Sequence, residues 1–327
     1  MKKILFVMNT MGRAGAESAL IALMNTLPKD QYEISLLVLI NRGEVFAEVP
    51  KHVKILNKHP DIRSVLSSGG KTVLMKTTLR CFFYHLSGFR NIPYLFRNLL
   101  LQLKKHRLQP DKLLWRIIAN GTPAPKETYD LAVAYLEGGS TYFTADFVHA
   151  KKKASFVHID YKKAGYCKSL DLDAYDKIDR IFSVSKEAME SFCRVYPNHR
   201  KNCFLFRNII DTNWIKKQSQ KQLPASDPFF KSQAEFKLLT VGRLNYQKAY
   251  DIAIPTLRLL REQGFDADWF VLGEGDLQHD LQRMIAKENL TKHFILLGST
   301  ANPYPYYRHA TLYVHATRFE GKSIAIE

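Results

Sequence analysis

Cysteine is scarce: Cys81, Cys167, Cys193 and Cys203 are the only four in 327 residues. They form no CxxC pair and no spacing that suits zinc, so a disulfide framework and a structural zinc site are both excluded. A reducing compartment fits such a chain. Long apolar runs are absent too. No stretch approaches the ~18 uninterrupted apolar residues that a membrane-spanning helix requires. The apolar run after Lys2 and Lys3 ends within six residues in a glycine turn, too short for a secretory leader. There is no fixed-period repeat and no low-complexity tract. The expected location is therefore cytoplasmic.

Acidic residues are the other shortage, and it is uneven. The net charge is +17, from 48 Lys+Arg against 31 Asp+Glu. Residues 1–201 account for +14 of this and residues 202–327 for only +3. Within 71–118 there are ten basic residues and a single acid, Asp111. A soluble chain this unevenly basic meets something anionic, such as a phosphate substrate, nucleic acid or an acidic membrane face.

What is present is ordinary globular composition, 46% hydrophobic and 24% charged. The length suits two domains. Residues 3–9, a turn with Gly12 and Gly15, a helical pattern and the runs 32–40 and 53–57 read as a βαβ unit on a parallel sheet. Residues 71–118 read as basic amphipathic helices. Strands follow near 129–135, 154–158, 177–184 and 204–206. The polar stretch 216–232 has the composition of a linker. The alternation then restarts, with strands at 236–242, 267–273, 293–298 and 310–317, and helices at 249–263 and 277–289. Two such halves, 1–210 and 211–327, predict an α/β protein of two Rossmann-like domains facing a cleft.

In such sheets, ligands bind at the carboxyl ends of the strands. After the first strand, GRAGAE places Gly12, Gly15, Ala16 and Glu17 where backbone can approach a phosphate or sugar, although a plain structural turn competes. GGKT at 69–72 is not a P-loop, because Val65 stands where the first glycine belongs. His158, in FVHID, follows a strand with Asp160 two residues on; a catalytic role competes with that of a core histidine. VGRLNYQKAYD presents Gly242, then Arg243 and Lys248 before a helix, a metal-free clamp for a diphosphate. LGEGD, with Gly273 and Glu274, is either a tight turn or a ligand contact. RFEGKS follows the last strand, where Glu320, Gly321, Lys322 and Ser323 open a helix and Glu320 could accept sugar hydroxyls. Two DxD pairs, Asp171 with Asp173 and Asp266 with Asp268, fall away from strand carboxyl ends and read as surface acids. No metal is therefore expected.

As a set, VGRL-x3-K, GEG, a later LG before an aromatic-rich helix, and FEG-x-S resemble the retaining glycosyltransferases of family 4, of the GT-B fold. GxxGAE, VHID and RNIID at 207–211, which resembles PNGVD, agree with this in the first half. The resemblance implies that Arg243 and Lys248 bind the donor diphosphate, and that Glu320 contacts the donor sugar as the first acid of an E-x7-E motif. The loop at Gly15 would cover the reacting centre, His158 would contact the transferred sugar, and Asn208 would sit near the interdomain crossover. Arg207 and Ile209 depart from PNGVD. The second acid of E-x7-E would fall at position 328, one past Glu327, so the resemblance implies an incomplete second domain and an inactive chain.

The function so implied is transfer of a hexose, with retention, from a nucleotide diphosphate sugar to a lipid-linked or cell-surface glycan acceptor, with no further cofactor. Its setting would be the cytoplasm, peripheral on the inner membrane face. Separately, the basic and apolar residues interleaved in 71–118 suit docking on anionic lipid, and an acceptor-side helical pair whose apolar face is core is the alternative. The alternatives are another GT-B enzyme such as a nucleotide-sugar epimerase, and a basic nucleic-acid-binding protein. No helix-turn-helix, RRM or zinc-finger signature supports the last, and no nucleic-acid partner is expected.

Overall fold

The computed structural model describes residues 1–64, 70–84, 87–104, 109–319, 323 and 325–326. It divides into two compact units, Met1–Ile209 and Ile210–Glu327.

The first unit opens with β1 (Lys2–Met8), α1 (Gly15–Thr26), β2 (Tyr32–Val38) and β3 (Lys54–Ile55). A helical segment follows: α2 (Gly70–Phe83), α3 (Ser87–Arg90), α4 (Ile92–Lys104) and α5 (Pro110–Gly121). Then come β4 (Tyr129–Ala134), α6 (Gly139–Phe147), β5 (Ala150–Val157), α7 (Lys168–Asp171), β6 (Arg180–Ser183), α8 (Lys186–Val195) and β7 (Cys203–Leu205). All strand pairs are parallel, in the order β3-β2-β1-β4-β5-β6-β7. Continuous apolar runs form these strands because helices cover both faces of the sheet, as a parallel sheet requires. The order reverses between β1 and β4, so the crevice at their carboxyl ends is this sheet's switch point.

The core of this unit contains a polar hub. Asp171 is fully buried and accepts hydrogen bonds from the Tyr142 hydroxyl at 2.7 Å and the Tyr196 hydroxyl at 2.8 Å. Buried Arg116 lies over the Tyr142 ring, donates to the Asp171 carbonyl at 2.5 Å and pairs with Asp146 at 2.7 Å. Burial pushes the Asp171 carboxyl up to about 6, against the hydroxyls that favour its charged form. Asp171 is thus a core residue and not the surface acid its polar neighbours suggest. Its partner Asp173 is exposed and pairs with Lys177.

The second unit comprises α9 (Thr212–Ser219), α10 (Pro228–Lys231), β8 (Phe236–Val241), α11 (Tyr250–Glu262), β9 (Ala267–Leu272), α12 (Gln278–Lys287), β10 (Phe294–Gly298), α13 (Tyr304–His309) and β11 (Leu312–Tyr313). Its parallel order is β10-β9-β8-β11, with the switch point between β8 and β11. The stretch 216–232 is not a linker. It belongs to this unit, and Phe229, with no exposed surface, packs its ring against Phe270 and Tyr306. Two adjacent phenylalanines in a polar stretch are the anchor that its average composition hides. Asp268 is buried as well, pairing with His293 at 2.8 Å and accepting from Ser232 at 2.6 Å, while Asp266 is exposed. Both carboxylates of this pair lie near one arginine, with Arg261 Nη1 3.5 Å from Asp266 and 3.7 Å from Asp268.

Candidate functional site

At the switch point of the second sheet, three loops interlock through main chain. Gly242 N donates to Leu272 O at 2.9 Å, Leu244 N to Glu274 O at 2.9 Å, and Gly273 N to Gly298 O at 2.8 Å. Such closeness leaves no room for side chains. Gly273 has φ +155°, and a Cβ there would stand 2.0 Å from the Gly242 carbonyl oxygen. Leu272 and Glu274 are therefore fixed on either side of a position that only glycine fills.

This platform carries the two cations. Arg243 is exposed, and no ion pair or hydrogen bond engages its guanidinium among the described residues. The aliphatic chain of Lys248 lies over Gly242, with Cε 3.2 Å from where a Cβ would be. The intervening turn is capped by the Asn245 side chain, which accepts from Lys248 N at 3.3 Å. Glu274 follows β9 and accepts from the Ser299 hydroxyl at 2.7 Å. It therefore ties two of the loops.

The segment after β11 is fastened to the same turn. Gln247, nearly buried, donates to Phe319 O at 2.8 Å, and its own carbonyl accepts from Arg318 N at 2.8 Å. Arg318 forms a two-toothed pair with Asp251 at 3.0 and 2.7 Å and covers the Tyr246 ring at 4.2 Å. The strand order thus brings the Arg243–Lys248 turn and residues 317–319 to one switch point. Glu320, Gly321 and Lys322 lie outside the described residues. Of the expected helix beyond them, Ser323 is partly buried, and its carbonyl accepts from Ile326 N at 3.1 Å in a turn.

The first unit has its own cluster at the β1/β4 switch point. Asn9 spans the crevice, donating to Glu137 O at 3.1 Å and accepting from Ser140 N at 2.7 Å. Glu137 is buried, and its Oε2 accepts from His158 N at 3.0 Å. Burial raises the Glu137 pKa above the usual carboxylate value, against the stabilising backbone donor of His158. His158 packs beside the touching rings of Tyr135 and Phe156, with centroids 5.1 and 5.8 Å away. Burial pushes its pKa down to about 4, so the imidazole is neutral at ordinary pH. Its Nε2 is buried with no hydrogen-bond partner. A buried polar atom without a partner is rare, and a bound ligand is one way to satisfy it.

The other expected residues divide. Gly12 is buried, and the loop it belongs to presses on Gly43, whose φ is +147° and whose Cβ would meet Met11 O at 2.0 Å. Gly15 starts α1 and is exposed, with Ala16 partly buried behind it. Glu17 is buried, and its carboxylate accepts from the Thr10 hydroxyl at 3.5 Å. It already places negative charge in the first turn of α1, which disfavours a phosphate there. Asp160 turns away from His158, accepting from Ser191 at 2.5 Å and from Lys163 N at 3.1 Å. Asn208 Oδ1 is buried without a partner. Sequence reasoning missed Glu137 and Gln247. LEGGS shows an acid after a strand, and that position alone could have flagged Glu137; nothing in the sequence separates Gln247 from a surface glutamine. Among the described residues, no group of three His, Cys, Asp or Glu could hold a metal ion.

Residues 225–326 match the family model of glycosyl transferases group 1. The matched segment contains the β8/β11 switch point. The chain is also similar to the N-acetylgalactosamine-N,N'-diacetylbacillosaminyl-diphospho-undecaprenol 4-alpha-N-acetylgalactosaminyltransferase of Campylobacter jejuni, 30% identical over 149 residues, which is 46% of this chain and 38% of that one. An uncharacterized glycosyltransferase of Methanocaldococcus jannaschii is 28% identical over 138 residues, 42% of this chain and 33% of its own length. The matches thus span between a third and two-fifths of these relatives. Among solved structures, Anabaena HepE in complex with UDP-glucose aligns with a TM-score of 0.61 at 14% identity, over 97% of this chain and 74% of that one. Staphylococcus aureus TarM in complex with UDP aligns at 0.60 and 12% identity, over 99% and 83%. The fold of the chain is that of these GT-B glycosyltransferases.

Proposed function

We propose that the protein transfers a hexose from a nucleotide diphosphate sugar to a glycan or lipid-linked acceptor, with retention at the anomeric carbon. The observation that carries this is the second sheet's switch point. Two cations stand there on a platform of close-packed glycine loops, beside the segment that leads to Glu320. The second unit is accordingly the donor side and the first the acceptor side.

Arg243 and Lys248 would hold the diphosphate and stabilise the charge that grows on it as the bond to the sugar breaks, the largest usual source of rate in such chemistry. Gly242, Gly273 and Gly321 would let backbone approach the donor, with Glu274, Lys322 and Ser323 near it and Glu320 on the sugar hydroxyls. The acceptor oxygen would bond to the anomeric carbon on the face the diphosphate leaves. Its proton would pass to the departing phosphate. His158, neutral and with an unsatisfied Nε2, suits hydrogen bonding to the transferred sugar, and Glu137 fixes its backbone. Gly12, Gly15, Ala16 and Glu17 would line the acceptor side. Fixed cations supply the charge, so metal is not needed.

UDP sugars are the first donors to try, since the HepE and TarM structures hold UDP or UDP-glucose. The Campylobacter relative's name specifies a diphospho-undecaprenol acceptor, which supports a lipid-linked one here. Incubation with a panel of nucleotide sugars, with and without polyprenyl-diphosphate glycan, tests the reading. Acceptor-dependent release of nucleoside diphosphate supports it. Isomerised free donor would instead indicate an epimerase.

A further inference from the structure

We infer that the outward face of α2, α3 and α4 is a docking surface for an anionic lipid bilayer. The inference is independent of the transferase reading.

Sequence alone places Phe82, Phe83, Tyr94, Leu95 and Phe96 together in a basic helical region, and the structure separates them. Phe82 and Leu95 pack against the first unit's core, and the Tyr94 hydroxyl donates to Leu170 O at 3.2 Å. Phe83 and Phe96 point outward, 63% and 65% exposed. They are not alone. Of the 22 exposed large apolar side chains among the described residues, ten fall between positions 75 and 103. That is far more than a segment of this length would hold if they were scattered, and contiguous exposed apolar surface marks an interaction site.

The pattern is periodic. On α2, Met75, Leu79 and Phe83 form one exposed row at spacing four, and exposed Lys76 and Arg80 form the row beside it. On α4, Ile92, Phe96 and Leu103 lie on the exposed side, flanked by exposed Arg97 and Lys104. Arg90 on α3 is exposed too. These helices are not frayed pieces whose core face has come loose, because their opposite sides are anchored. Cys81 is buried so tightly on α5 that a Cβ at Gly121 would meet its carbonyl oxygen at 2.2 Å. Asn98 is buried and donates to Ser169 O at 3.0 Å.

Charge decides the occupant. No acidic residue occurs between Asp61 and Asp111. Among the described residues no salt bridge engages Lys76, Arg90, Arg97 or Lys104. Cations alternate with apolar side chains along both helices. The centre of a protein–protein interface is depleted in charged residues as a class, lysine among them, although arginine is enriched there. Helices that lie in a bilayer interface carry this mixture: aromatic and aliphatic groups enter the headgroup boundary, and Lys and Arg meet anionic lipid. No helix among the described residues is long and apolar enough to cross a membrane, so the mode is lying on the surface.

Co-sedimentation of the full chain with phosphatidylcholine vesicles, and with vesicles of phosphatidylcholine and phosphatidylglycerol in equal parts, tests this without any activity readout. The chain should bind the anionic vesicles at least about tenfold more tightly than the neutral ones, and less as salt rises. Arg97→Gln with Lys104→Gln should weaken binding by roughly fivefold per cation. Phe83→Ser with Phe96→Ser should also weaken it. Lys186→Gln with Lys201→Gln, at exposed cations elsewhere, should leave it unchanged. Absent or equal binding to the two vesicle types would overturn the inference. Equal losses in the patch and control variants would overturn it as well.

Discussion

Arg243 and Lys248 stand on the same loop yet differ in setting, one exposed and the other laid over Gly242. If both grip a diphosphate, alanine at either should weaken donor binding by about 1.5–3 kcal/mol, the range for a charge-assisted hydrogen bond. Titration calorimetry of each variant checks this, and an unchanged Kd at either position would remove that residue from the clamp. His158 calls for a different comparison. Its Nε2 has no partner to lose, so His158→Ala should reduce turnover much more than it reduces stability. A variant that melts early but keeps its rate per folded molecule would make His158 structural. The pH dependence of stability has a defined sign at two buried groups. His158 is held down at about 4, below an unfolded value of about 6.5, so its contribution is present above about 6.5 and is lost as pH falls through about 4. Asp171 is raised to about 6, so its contribution is full below about 3.8 and is lost as pH rises through about 6. The two contributions slope in opposite directions between these limits and partly cancel, so urea midpoints should rise more steeply with pH in Asp171→Asn than in the parent, with the variant gaining most on the neutral side. An unchanged pH profile would contradict the assigned shift.

At the scale of elements, the strand carboxyl ends were legible because parallel strands are near-continuous apolar runs that stop at glycine turns. Gly242, Gly273 and the His158 strand end all follow from that rule. The partners across each end were not legible, because they depend on strand order. Gln247 reaches Phe319, and Glu137 reaches His158, only because β8 neighbours β11 and β4 neighbours β5. The polar stretch 216–232 misled for a related reason: averaged composition dilutes the few apolar residues, Phe229 with Leu223 and Phe230, that commit it to a core. Gly273 is where element geometry makes its sharpest prediction. Gly273→Ala forces a Cβ into the Gly242 carbonyl at a φ that L-residues rarely adopt, and should destabilise the second unit by roughly 1–3 kcal/mol or more. Hydrogen exchange should show the loss in strands β8 and β9 and spare β1 and β4. A loss spread evenly over both units, or none, would contradict the packing described.

Across the whole molecule, two parallel sheets with separate cores give each unit its own switch point and its own candidate cluster. The division of the chain was legible from the restart of the strand–helix alternation. The buried acids were not, because Asp171 and Asp268 gain their partners from elements remote in sequence. If the β8/β11 switch point holds the donor, as proposed, its positive charge comes from Arg243 and Lys248. Titration of UDP-glucose and related nucleotide sugars into the full chain, in buffer with and without EDTA, tests that most directly. The parent protein should bind at least one donor equally well in both buffers, and Arg243→Ala with Lys248→Ala should weaken it by about a hundredfold or more. Binding that requires a divalent metal, or that survives the double substitution, would contradict it.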